Sequence, residues 1–234
     1  MSHMSEIDRA IVLARRAAAA GLTRDPRKLT RFLHRTWYVG GTVPEPVIPG
    51  PRVPPWRAWG PLWREERAPR GSDLVRLSLC CAPHTSLHAV AAAVTRLKGW
   101  DVPWLLSSRS LRQAVPGPDA TAVYFPADAV AELREPVLDL IADLQPFLAG
   151  SVPTLTLRIG RGAALAQNPP DGSSYGEHRC SILAHAVLAN LSEPHPLIVE
   201  RTLTAFRLAQ VDPQRPYRAL SASWEWDRRR VSAA

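Results

Sequence analysis

Pro44, Pro46, Pro49, Pro51, Pro54, Pro55, Pro61 and Pro69 crowd into one short span of the chain. Proline lacks the amide donor that helix interiors and central strands require, so this span reads as an extended connector. It divides the 234 residues into an N-terminal helical segment (5–41), a proline-rich arm (42–71), a main domain (72–220) and a basic tail (221–234). At roughly 100–200 residues per domain, the length fits one domain with an appendage. A hydrophobic fraction of 46% supports a real core and excludes global disorder. The opening Met-Ser-His-Met resembles a cloning scar and carries no expectation.

Periodicity supplies the elements. Residues 5–20 alternate apolar and charged positions at helical spacing before Gly21, and a second helix is expected from Pro26 to Tyr38. In the arm, Trp56, Trp59 and Trp63 read either as anchors packing it onto its own domain or as a docking surface. Beyond it, strands are expected at 73–81, 102–107, 120–125 and 154–159. Helices are expected at 84–99, 126–147, from about 176 to 191, and at 196–211. The implied fold class is α+β: a mostly antiparallel or mixed sheet of four to five strands covered by helices. No apolar run is long enough for a membrane span, and no signal peptide is evident.

Lys28 and Lys98 are the only lysines; every other basic residue is arginine, and the formal net charge is +8. Arginine keeps its charge and forks onto phosphate or carboxylate oxygens, so the balance points to an anionic partner: a phosphopeptide, an acidic peptide or nucleic acid. Nucleic acid fits worst, because the arginines are scattered and no binding signature appears. The Arg228-Arg229-Arg230 cluster reads as a solvated tail. Three cysteines, two of them adjacent, make no disulfide framework, and no ligand spacing suggests zinc. A reduced cytoplasm fits best, with no metal or cofactor.

The segment Thr156–Cys180 (TLRIGRGAALAQNPPDGSSYGEHRC) is the richest in chemistry. A strand carrying Arg158 leads to Arg161 between glycines, then through a turn into a helix starting near Tyr175-Gly176-Glu177-His178-Arg179. A helix start offers unpaired amides and a positive dipole end, and glycines permit close backbone approach. Arg158, Arg161 and Arg179 are thus candidates to converge on one anion. Equally, Ser173 or Ser174 with Glu177 fits a helix cap, which leaves Arg179 and His178 on the surface.

Ser174-Tyr175-Gly176-Glu177-His178-Arg179-Cys180, entered from Ala166-Gln167-Asn168-Pro169, resembles the signature of the HopA-type type III effector family. Val102-Pro103-Trp104, Asp119–Phe125, Asp212–Tyr217 and Trp37-Tyr38 ahead of Gly40 are similar to further landmarks of that family, in the same order, over roughly residues 29–220. The resemblance implies a phosphoserine/phosphothreonine lyase-like domain. Such proteins accompany an aminoglycoside-phosphotransferase-like kinase in class V lanthipeptide and thioamitide biosynthesis. The kinase phosphorylates Ser or Thr of a precursor peptide, and the lyase eliminates phosphate to leave a dehydroamino acid.

β-Elimination needs a base for the Cα proton, donors for the enolate oxygen, and cations plus an acid for the departing phosphate. On this reading Arg158, Arg161 and Arg179 clamp phosphate and His178 is the acid. Tyr175 assists at an oxygen, and Tyr124, Trp104 and Glu177 meet the peptide. The resemblance places a family lysine near Ser107, so Lys98 is the remaining candidate base. Without a base, the same arginines suit a non-catalytic scaffold that binds the kinase or the precursor peptide.

Overall fold

The computed structural model describes residues 2–38, 55–63, 71–82, 84–109 and 121–226. Helix α1 (His3–Ala19) starts two residues before the expected 5–20, inside the opening tetrapeptide, because the Ser2 hydroxyl oxygen accepts from the Ser5 amide and caps it. Gly21, at φ +72°, ends it in the left-handed region that glycine tolerates. Asp25 then caps α2 (Pro26–Leu33) by accepting from the Arg27 and Lys28 amides, with Pro26 at the first helical position. The expected helix to Tyr38 is completed by a π-helical turn, His34–Tyr38.

The sheet has six strands, not four to five, in the order β1 (Trp56–Trp59), β3 (Leu105–Ser108), β4 (Thr121–Pro126), β2 (Leu74–Leu79), β6 (Ala163–Gln167), β5 (Leu157–Gly160). Every pairing is antiparallel. The α+β class holds. The two additional strands have simple causes. β1 lies in the proline-rich stretch but occupies a sheet edge, where neighbouring prolines cost little. β6 is alanine-rich, and alanine carries little strand propensity, yet all its residues are buried.

Four further helices complete the fold: α3 (Ser86–Leu97), α4 (Arg134–Leu144), α5 (Tyr175–Ala189) and α6 (His195–Leu208). The single helix expected over 126–147 is instead α4 flanked by 3-10 turns at Asp128–Val130 and Gln145–Phe147. Pro146 blocks regular continuation. α3 packs with α4, while α1, α2, α5 and α6 form a second group. Every residue of β2 and β6 is buried, so both sheet faces are covered there.

Register decides which side chains share a face. Arg57, Ser107, Ala122, Ser78, Ala164 and Arg158 form one cross-strand row, and Trp59, Leu105, Tyr124, Arg76 and Ala166 the next. α5 covers this face, since the Arg76 charge acts on the Tyr175 phenol. The other face meets α3 and α4: Trp100 sits edge-on to Phe125, and a Cβ on Gly160 would press on Ile141. No helix among the described residues is long and apolar enough to cross a membrane.

Candidate functional site

The turn before α5 is built locally. Asp171 accepts from the Ser173 amide (3.0 Å) and hydroxyl (2.7 Å), and Gly172 takes a φ of +70°. Ser174 stands at the N-cap without a side-chain capping bond, and Glu177 is exposed, so the alternative of a Ser–Glu cap is not formed. Gly176 serves the protein's own packing instead of a ligand's approach. A Cβ there would lie 2.6 Å from Tyr38 Cδ1 and 2.8 Å from His34 Nε2, which stack on each other in the π turn.

Tyr175 and Arg179 stand one helical turn apart and face inward. The buried Tyr175 hydroxyl donates to the carbonyls of Leu155 (2.6 Å) and Pro216 (3.0 Å), and burial pushes the phenol up to about 12. Arg179 is 2% exposed. Its Nε donates to the Pro216 carbonyl (2.9 Å), its Nη1 to His178 Nδ1 (2.6 Å), and its Cζ lies 4.6 Å from the Tyr175 ring centre. None of these partners is a carboxylate.

That contact fixes the state of His178. A guanidinium only donates, so Nδ1 must accept, and the neutral ring carries its proton on Nε2. Burial, then the adjacent Arg179 charge, lowers the imidazole from its ordinary 6.5 to about 4, with Asp171 opposing. At neutral pH His178 is therefore an uncharged Nε2–H donor.

The structure brings Arg179, His178 and Tyr175 together and adds a residue the sequence reading passed over. Arg76, on β2, is 5% exposed and lies 5.9 Å from the Tyr124 ring centre. Its signal was an arginine inside the leucine- and valine-rich run LVRLSL. Arg158 and Arg161 are elsewhere: Arg158 is exposed on the outer strand β5, donating to the carbonyls of Gly150 (2.7 Å) and Gly160 (3.4 Å), and Arg161 is exposed in the β5–β6 turn. The three arginines do not converge. Trp104 is 2% exposed, its indole under Gly60, whereas Tyr124 and Ser107 are half-buried on the Arg76 face. Lys98 is exposed at the C-terminal end of α3, across the sheet from α5.

An antiparallel sheet with the SYGEHRC helix laid over a strand arginine can be compared with known proteins. The profile of the HopA1 effector protein family matches residues 62–218. The chain belongs to that family. The match leaves Trp37-Tyr38 and β1 outside it and takes in β2 to β6 with α3 to α6. Two solved structures share the fold: the effector protein from Pseudomonas syringae pv. tomato strain DC3000 (15% identity, TM-score 0.52) and that from Pseudomonas syringae pv. syringae strain 61 (19% identity, TM-score 0.51). They align with 64% and 65% of this chain, which spans 58% and 59% of theirs. No curated protein matches the chain.

Proposed function

We propose that this HopA1-family protein binds a peptide bearing phosphoserine or phosphothreonine and eliminates the phosphate to leave a dehydroamino acid. It does so in the cytoplasm, alongside an aminoglycoside-phosphotransferase-like kinase that phosphorylates the precursor peptide. The single observation that carries the reading is the buried Arg179 guanidinium, held by a carbonyl, an imidazole nitrogen and a ring face, with no carboxylate in contact. A buried charge with no carboxylate in contact is costly, and a docked phosphate offsets that cost. Arg76 on the same face, the Nε2–H of His178 and the uncapped first turn of α5 add donors suited to phosphate oxygens.

In the elimination, a base takes the Cα proton, the Cα–Cβ double bond forms, and the Cβ–O bond breaks with its electrons leaving on phosphate. Arg179 and Arg76 stabilise the departing charge. His178 donates a hydrogen bond from Nε2. It transfers that proton only when a bound dianion lifts its pKa enough for the ring to be doubly protonated.

The position of Lys98 favours a second reading. A lysine on the far side of the sheet is badly placed as the base, and a non-catalytic scaffold that holds the kinase or the precursor needs none. Incubation with a phosphorylated precursor and the matching kinase, followed by mass spectrometry, separates the two. Elimination removes the mass of phosphoric acid. Phosphopeptide that stays unchanged while it or the kinase remains bound supports the scaffold, and absence of both elimination and binding to either partner refutes both readings.

A further inference from the structure

Two helices on opposite sides of the sheet carry opposite charges at the same spacing. Arg24, Arg27, Arg31 and Arg35 follow one another at intervals of three, four and four residues along α2 and its flanks, with Lys28 beside them. All five are exposed, and none of their side chains is paired among the described residues. Glu132, Glu135, Asp139 and Asp143 repeat the intervals three, four and four along α4 and the turn before it, and all four are exposed. Neither row serves its own helix. Like charges one turn apart repel, cations in the first turn of α2 oppose its dipole, and a carboxylate in the last turn of α4 opposes that helix's.

The acidic row is also one wall of a groove. α3 and α4 enclose about 660 Å³ between Arg96, Pro136, Asp139 and Asp143. Trp100, 5% exposed, lines it, and its indole Nε1 has no hydrogen-bond partner. Asp143 meets Arg96 through Oδ2 at 2.7 Å, and Glu135 is 3.9 Å from Arg134. Glu132 and Asp139 are unpaired among the described residues.

We infer that α2 of one molecule docks along the α3–α4 groove of a second copy, guanidinium row against carboxylate row. The lengths match: from Arg27 to Arg35 and from Glu135 to Asp143 the chain advances eight residues, about 12 Å of helix. An arginine that enters the groove meets the Trp100 indole, an attractive surface for a guanidinium. Other anionic surfaces fit α2 less well. Leu29 and Leu33 are buried in the protein, so the helix has no apolar face to insert into a lipid surface. Its cationic row holds no aromatic side chain on which bases could stack. α2 packs with α5 on one side of the sheet and α4 with α3 on the other, so the contact is head-to-tail and propagates instead of closing at a symmetric dimer. The inference is independent of the functional reading.

Sedimentation velocity on the full chain, treated with nuclease, tests this. At low salt the weight-average mass should rise above that of the monomer with concentration, and at high salt it should return to it. Arg27→Glu/Arg31→Glu and Glu135→Arg/Asp139→Arg should each weaken association at least about tenfold, because two exposed ion pairs become repulsions. Mixed together, the two variants should associate again, since their reversed rows complement each other. All four positions are exposed, and unchanged circular dichroism excludes misfolding as the cause of a loss. A wild type that stays monomeric at low salt, association that persists undiminished in either variant, or variants that do not recover on mixing overturns the inference. Association that nuclease treatment abolishes marks bridging by nucleic acid and overturns it as well.

Discussion

Mild acid should weaken the fold through one imidazole. His178 is lowered from its ordinary 6.5 to about 4, by burial first and by Arg179 second. The unfolded chain therefore takes up a proton near pH 6.5, while the folded chain resists until about 4. Stability tied to this group is present above 6.5 and is lost as pH falls from there through about 4. The full difference corresponds to roughly 3 kcal/mol, and partial solvent access to the ring reduces the expected effect to about 1–2 kcal/mol. Asp171 and Asp212 are also lowered, but from 3.8, so their losses fall at more acidic pH. Urea unfolding of the wild type and of His178→Gln at pH 7 and pH 4.5 isolates the term, because the glutamine carbonyl still accepts from Arg179 but takes up no proton. The wild type should lose more stability than the variant between the two pH values. Identical losses would refute both the lowered pKa and the Nε2–H assignment drawn from it.

Two substitutions probe the walls of the same site. Gly176→Ala forces a methyl against Tyr38 and His34 and should destabilise by about 1–3 kcal/mol despite alanine's better helix propensity, read as a lower unfolding midpoint. An unchanged midpoint would mean the π turn moves aside freely. Tyr175→Phe removes the donor to Leu155 and Pro216 and should cost about 1–2 kcal/mol in urea unfolding, with Arg179 still holding the Pro216 carbonyl.

The sequence exposed the helices because their apolar positions recur at the right period and their ends carry punctuation: Gly21, Asp25-Pro26 and the turn before Tyr175. Strands were harder where composition argued against them. The WRAW strand hides among prolines, and AALAQ lacks the branched residues that mark a strand. The site was half legible. Tyr175, His178 and Arg179 were found because one helix start holds all three, and their contacts are local. Arg158 and Arg161 were drawn in by nearness along the chain, yet the β5–β6 hairpin carries them to the outer edge. Arg76 reaches the face through strand pairing across long sequence separations, which no local pattern encodes.

Leu155 holds a left-handed backbone (φ +59°), its amide bonded to Glu6 Oε2 of α1 at 3.0 Å and its carbonyl to Tyr175 of α5. His195 likewise reaches Asp8 at 2.7 Å, and Ile7, Ile11 and Ala14 are wholly buried. The first helix thus behaves as an inserted wedge whose attachment is almost entirely lateral. Gene fission between residues 38 and 55 should yield two polypeptides that find each other and rebuild the site.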